Sequence, residues 1–372
     1  MWDGIVGQER AIAVLERAAE RPVHAYLLVG PRGSGVEDAA RAFAARLIDV
    51  DDDRGVALVR RGMHPDVVEF EPGAASYSVK GDVRGRILPE AMRAPIEAAR
   101  KVLVIHEAER LHGNQNESAN AMLKTLEEPP PSTVILLVTA VPEDLLPTIR
   151  SRCQRIDFDP VPDTQVAIAL EREGVPGEDA TLAAALSGGQ LARARALCGP
   201  LAELREAAAS VPARVSGSGA NAVVLAEHVD AAVEAAAAQV AARQNAELAE
   251  FDADMERHGY SDRDAQRLRR RIDERHKRES RRTRIDLLLE AITAIETVYR
   301  DALASGVPPL NADRPPLAVS PRSAAFALDA CRDAREAVLV NEKGLVRLVA
   351  LVMALPPAAD RAFGTLAPPT PG

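Results

Sequence analysis

The sequence predicts a parallel α/β core in its first 160 residues, followed by an all-helical remainder. Two observations carry this. Short apolar, β-branched runs recur at Ala25–Val29, Val67–Glu71, Val102–Ile105, Val134–Thr139 and Arg155–Phe158, separated by helix-forming stretches. After Pro160 the strand signals stop, while alanine-rich amphipathic segments continue. Strands alternating with helices make a parallel sheet covered on both faces, and strands in such a sheet read as nearly unbroken apolar runs.

The elements follow in order. Val36–Ile48 and Asn114–Glu128 read as amphipathic helices between strands, and a further helix is expected over Pro142–Ile149. Asp163–Gly199 reads as a group of short helices interrupted at Gly174 and at Gly188-Gly189. From about Pro200 the chain is helical, with Ile285, Leu288, Leu289, Ile292, Ile295 and Val298 forming one buried stripe at helical spacing. Pro308–Pro321 is a proline-rich connector, and Pro356–Gly372 a loose tail. The expected domains are a core at 1–159, a small helical domain at 160–205 and a second helical domain at 206–372.

Composition narrows the function. At 372 residues the chain is long enough for two or three domains. Aromatic residues make up 3% of it, so its cores are built from Ala, Leu and Val. The net charge of −9 argues against a protein coated in nucleic acid, though not against a local basic patch. Cys153, Cys198 and Cys331 lie far apart with no CxxC pair, which speaks against a disulfide framework or a four-cysteine metal site. No run approaches the ~20 apolar residues a bilayer requires, and the N-terminus lacks the apolar core of a signal peptide. A cytoplasmic location is expected.

The strand ending at Val29 leads into Gly30-Pro31-Arg32-Gly33-Ser34-Gly35 and then a helix. This is the setting of a phosphate-binding loop, where backbone N–H groups at a helix N-terminus cradle an anion; Gly30, Gly33 and Gly35 are the candidate phosphate-binding positions. The pattern requires Lys and then Ser or Thr next, but Val36 and Glu37 stand there. A carboxylate ~4 Å from a phosphate is repelled by ~4 kcal/mol at a typical surface dielectric. The strand 102–105 should end in Asp-Glu to hold Mg²⁺ and orient water, but it ends in His106-Glu107. Imidazole suits a hard, oxygen-seeking cation poorly. Both alterations remove nucleotide chemistry, so the loop is expected to be an empty fold element.

Several further motifs occur together: Ile5-Val6-Gly7-Gln8-Glu9, His24-Ala25-Tyr26-Leu27-Leu28, His64-Pro65-Asp66, the run from Asn120 to Pro130, and Ser151-Arg152-Cys153. With these the first 200 residues resemble the delta-prime family of bacterial DNA polymerase III clamp-loader subunits, which are AAA+ proteins. The resemblance implies an α/β P-loop (AAA+) core with a parallel sheet, a small helical lid and an all-α collar that joins five subunits into a ring. It implies ATPase subunits (gamma/tau) and a delta subunit as partners, with the sliding clamp and primer–template DNA in the complex. Catalysis by the chain alone is not expected, only service within the polymerase holoenzyme.

The resemblance also assigns Arg152 as an arginine finger, acting in trans on a γ-phosphate held by a neighbouring subunit; the bland alternative is a salt-bridged surface arginine. Cys153 reads as a packing residue. Relatives often carry four zinc-binding cysteines before His-Pro-Asp, but residues 50–63 contain none, so no zinc and no other cofactor is expected. Thr139 stands where a polar γ-phosphate sensor belongs, with strand capping as the alternative. Arg193 lies in a lid-sensor-like Gly189-Gln190-Leu191-Ala192-Arg193, with a lid surface charge as the alternative. Lys124, Glu127 and Glu128 are candidates for interface contacts or for a solvated helix end.

Between Arg267 and Arg284 there are ten Arg or Lys and three acids, with no aromatic residue. This reads either as a DNA-facing helix or as a solvated helix meeting an acidic partner. Two other functions compete with the clamp-loader reading: an active AAA+ ATPase with an atypical loop, and a free-standing nucleic-acid-binding adaptor.

Overall fold

The computed structural model describes residues 2, 4–31, 33–50, 52–72, 76–112, 117–258, 262–304, 306–340 and 344–357. The side chains at 53, 112, 254–258, 262–265, 267, 268, 271, 274, 275, 278, 279, 281, 282 and 340 lie outside that description. So do Arg32, most of the expected tail and part of the basic segment.

Two compact units divide the chain, residues 1–195 and 196–372. The first holds α1 (Glu9–Glu20), β1 (Ala25–Val29), α2 (Val36–Leu47), α3 (Asp53–Arg60) and β2 (Val67–Phe70). A π-helical segment (Val79–Ile87), α4 (Leu88–Ala91), β3 (Lys101–Ile105), α5 (Glu117–Glu127), β4 (Thr133–Thr139), α6 (Pro147–Arg150) and β5 (Gln154–Asp157) follow. Helices α7 (Asp163–Arg172) and α8 (Gly177–Ser187) complete it, with α9 (Leu191–Leu197) carrying the boundary.

All five strands pair in parallel, in the order β2-β3-β4-β1-β5. Every residue of β1, β3 and β4 is buried, as their apolar runs require. Because side chains alternate across the sheet, each strand feeds two cores. Tyr26, Leu28, Val102, Val104, Leu136 and Val138 pack with Phe43 and the alanines of α2 on one face. Leu27, Leu103, Ile105, Ile135 and Leu137 pack with Met122 and Leu126 of α5 on the other. This sheet order, with the loop between β1 and α2, is that of an AAA+ core, and a helical remainder follows.

The short motifs act as clasps in this core. Gln8 Nε2 donates to the carbonyls of Ser34 (3.1 Å) and Asp159 (2.7 Å), tying the N-terminus to the loop and to the strand beyond it. The Tyr26 ring meets Phe43 edge-on at 4.9 Å, while its hydroxyl accepts from Val23 N–H at 2.9 Å. In His64-Pro65-Asp66, His64 Nδ1 accepts from Asp66 N–H, and the fully buried Asp66 carboxylate accepts three backbone N–H groups, of Ile96, Glu97 and Ala98, at 2.6–2.8 Å. The aspartate thus organises the approach to β3. Buried Lys101 begins that strand and donates to Glu90 at 2.7 Å.

The single helix expected over Pro142–Ile149 is corrected. The chain forms a short 3-10 turn at Pro142–Asp144 and then α6, with Leu145 and Leu146 extended at ψ 142° and 134°. Pro147 excludes the helical conformation from the residue before it.

The second unit is helical: α10 (Ala202–Ala209), α11 (Val211–Arg214), α12 (Gly219–His258), α13 (Asp262–Leu303), α14 (Pro321–Val340) and α15 (Gly344–Ala354). Its core takes Leu288, Ile292, Ile295, Val298 and Tyr299 from α13, with Leu225, Val229 and Val233 from α12 and Leu348, Leu351 and Val352 from α15. The connector before α14 carries Asp313, whose burial opposes ionisation but whose hydrogen bonds from Arg205 and Arg314 hold it low, at about 2.

Replacing Asp66 with Ala would strand three partly buried N–H groups, each costing about 1 kcal/mol. Denaturant titration of the full chain should show the first unit destabilised by about 3 kcal/mol, with Asp66→Asn recovering part of the loss.

Candidate functional site

The loop between β1 and α2 keeps the shape of a phosphate cradle. Gly33 and Gly35 sit at φ 78° and 93°, a region L side chains rarely enter. Gly30 N–H donates to the Thr139 carbonyl at 3.0 Å, anchoring the loop to β4. The two residues after the loop take opposite directions. Val36 is 1% exposed and belongs to the apolar core beneath the sheet. Glu37 turns back onto the loop, where both its carboxylate oxygens accept from Gly33 N–H at 3.3 and 3.4 Å. A negative charge thus lies over the positive end of α2, the place where an anion is favoured. The side chains at positions 36 and 37 offer neither an ammonium nor a hydroxyl, so they do not fit Mg-nucleotide.

The end of β3 is likewise occupied from within. His106 is buried, and its Nε2–H donates to Glu69 on β2 at 2.8 Å. The other face of Glu69 receives a two-pronged contact from Arg41 of α2, at 2.9 Å for each nitrogen. Burial opposes ionisation of Glu69, but the Arg41 charge and the His106 hydrogen bond overcome it and hold the carboxyl well below the usual range. Arg41 is correspondingly raised despite its own burial. Glu107 takes a left-handed backbone conformation (φ 49°) and pairs with Arg110 at 2.8 Å. Neither residue of the His-Glu pair faces an open cation site. Among the described residues no group of three or more His, Cys, Asp or Glu is arranged to hold a metal.

Thr139 caps its strand, accepting from Val141 N–H at 3.2 Å and donating to Glu109 at 2.6 Å. Arg193 of α9 is half-buried and donates to the Leu186 carbonyl at the end of α8, a helix-terminal contact.

Arg152 follows α6 at the rim of the core. Its Nη1 donates to the Thr148 carbonyl at 2.8 Å, and its Nη2 pairs with Glu127 at the end of α5; both partners' side chains are about a third to a half exposed. Glu127 is therefore the partner of Arg152 within the chain. Cys153 is half-buried against the core, and burial pushes its thiol up to about 12, so it is a packing group rather than a nucleophile.

The sequence did not flag Arg41 and Glu69. The one available signal was an acid inside the apolar strand Val67-Val68-Glu69-Phe70; its partner lies 28 residues earlier on a helix.

Known proteins match the same stretch. The family described as DNA polymerase III, delta subunit, covers residues 7–162. That segment is similar to this family. The DNA polymerase III subunit delta' of Pseudomonas aeruginosa is 34% identical over 187 residues, 47% of this chain and 56% of that protein. The subunit gamma/tau of Mycobacterium bovis is 35% identical over 192 residues, 47% of this chain and 32% of that protein. The delta' subunit of Bacillus subtilis is 31% identical, over 48% of this chain and 55% of that protein. The chain thus spans about half, or less, of the curated relatives it matches. The core is thus similar to DNA polymerase III subunits of both the delta' and the gamma/tau kind.

Glu69 gives the core a pH signature. A carboxyl with a lowered folded pKa contributes stability that is present above its unfolded value, about 4.3, and is lost as pH falls towards the folded value. Glu69→Gln should flatten the loss of stability between about pH 5 and pH 2. At neutral pH it should cost about 3–5 kcal/mol, because Arg41 is left partly buried without its counter-charge. Urea titrations across pH measure both effects.

Proposed function

We propose that the chain is a delta-prime-type clamp-loader subunit that does not hydrolyse ATP and supplies Arg152 to the ATP site of a neighbouring subunit. The observation that carries the reading is Glu37. Its carboxylate engages the loop N–H of Gly33, which a nucleotide phosphate would otherwise take, while Val36 is withdrawn into the core. The position of His106 supports it, since the imidazole is held by Glu69.

The finger assignment rests on Arg152's accessibility and its partner. An exposed ion pair such as Arg152–Glu127 contributes only about 0–1 kcal/mol. It yields readily to a triphosphate, to which the planar guanidinium donates in two-pronged fashion. The Thr148 carbonyl contact aims the side chain along the rim meanwhile. In the assembled ring the second unit serves as the collar, ATPase subunits of the gamma/tau type and a delta subunit flank the chain, and primed DNA and the sliding clamp are the complex's substrates.

Reconstitution with the cognate ATPase subunits tests this. Arg152→Ala should leave assembly intact and slow hydrolysis at the neighbouring site by about 10³-fold, as loss of an arginine finger does. Unchanged DNA-stimulated ATPase activity in an assembled complex overturns the finger. The isolated chain should show no Mg-dependent ATP binding at sub-millimolar concentration, and tight binding would make it an ATPase with an atypical loop.

A further inference from the structure

The two contacts of Arg152 differ in kind. Its Nη1 donates at 2.8 Å to the Thr148 carbonyl four residues back, which belongs to α6, the turn that carries the arginine. Its Nη2 pairs with Glu127, 25 residues away at the end of α5. Among the described contacts of this guanidinium, the one with Glu127 ties it to a different element of the core.

Glu127 stands at a fixed point. Met122 and Leu126 of α5 are fully buried against the sheet, so the last turn of that helix cannot shift without disturbing a close-packed core. Glu128 N–H closes the turn on the Lys124 carbonyl at 2.9 Å, and Pro129-Pro130 end the helix there. Thr133 N–H then donates to the Pro130 carbonyl at 2.9 Å as β4 begins. The carboxylate at the tip is nevertheless in contact with water, since its side chain is 47% exposed and that of Arg152 34%.

The nitrogen that Glu127 holds is the one that matters for a phosphate. A guanidinium donates in two-pronged fashion either through Nε and Nη2 or through Nη1 and Nη2, so Nη2 is common to both edges of the fork. A phosphate arriving at either edge meets a carboxylate already on that nitrogen, and the two anions repel. The Thr148 contact can travel with the arginine, whereas the Glu127 contact must break.

We propose that Glu127 is a positioning residue that parks Arg152 until a neighbour's phosphate displaces it; this rests on the trans role of Arg152 proposed above. An exposed pair of this kind shifts the balance between parked and free arginine by at most about fivefold. It is a bias rather than a lock. The bias acts while the neighbour's triphosphate is distant or loosely held, and it loses force once the phosphate has taken the fork. Hydrolysis in the idle ring is thereby kept below its driven rate.

The complex reconstituted with its ATPase subunits provides the test, with and without clamp and primed DNA. Glu127→Gln keeps the length of the side chain and removes its charge. It should raise the ATPase rate without DNA by about 2–5-fold and change the fully stimulated rate much less, so that the ratio of the two falls. The gain should be absent when Arg152 is also changed to Ala, and Glu127→Asp, which keeps the charge, should return the idle rate towards wild type. In the isolated chain, the side-chain nitrogen NMR resonances of Arg152 should shift on Glu127→Gln, a readout that needs neither partner nor nucleotide. Unshifted resonances overturn the parking and leave the trans role of Arg152 standing. A Glu127→Gln complex with an unchanged idle rate overturns it as well, and so does one in which idle and stimulated rates fall together, which would make Glu127 an aiming group. If Arg152→Ala leaves hydrolysis untouched in an assembled complex, the trans role itself fails and the parking with it.

Discussion

A carboxylate buried inside a parallel sheet must be paired, and in this core that constraint falls on Glu69. A lone ionised group there would carry a desolvation cost of several kcal/mol. Arg41 and His106 meet it from two different elements, so one side chain joins the helix after the phosphate loop to two adjacent strands. At the end of β3, where metal-holding acids were expected, His106 fastens that strand to β2 through Glu69. The shape of the loop then depends on protein contacts, with Gly30 hung from Thr139, Ser34 held by Gln8 and Gly33 capped by Glu37.

Internal partners also account for the glycines of this loop. The geometry at Gly33 and Gly35 is set by the strand–turn–helix junction and by the dipole at the start of α2, and these persist whatever anion is offered. Glu37 supplies that anion covalently, at fixed position. The loop is therefore joined to the fold by its own contacts, and altering it disturbs the packing of Val36 and α2.

Much of this core was legible in the sequence. Strands buried on both faces have no freedom to be polar, so β1, β3 and β4 announced themselves as apolar runs and their bounds hold to within a residue. The break between the turn at Pro142 and α6 was not read, although Pro147 carries its cause. The Arg41–Glu69–His106 set was hidden for another reason. Its members lie 28 and 37 residues apart, and only the strand order brings them together. Positions 36, 37 and 106 could be read from the sequence as departures from the phosphate-loop pattern. The contacts made around those positions could not, because contacts of high sequence separation leave no local pattern. The seam of α12 and α13, where Ser280 donates to Gln244 and His276 pairs with Glu247, was equally silent, since a polar seam lacks the apolar stripe by which a helix pair is usually recognised.

Solvent exposure then sorts the arginines of the first unit by task. Arg41 and Arg152 each donate to a glutamate through the guanidinium, so chemistry alone does not distinguish them. Arg41 and Glu69 are largely enclosed, and separating them would leave two desolvated charges; that pair is part of the fold. Arg152 and Glu127 stand at the rim with water on both sides, where breaking the pair costs little and a stronger anion can take its place. An arginine that is to act on a neighbour's phosphate must be held firmly enough to be aimed and loosely enough to be released. At Arg152 the Thr148 carbonyl meets the first condition and the exposed Glu127 the second, so the arginine proposed to act in trans lies outside the most strongly paired network of the core.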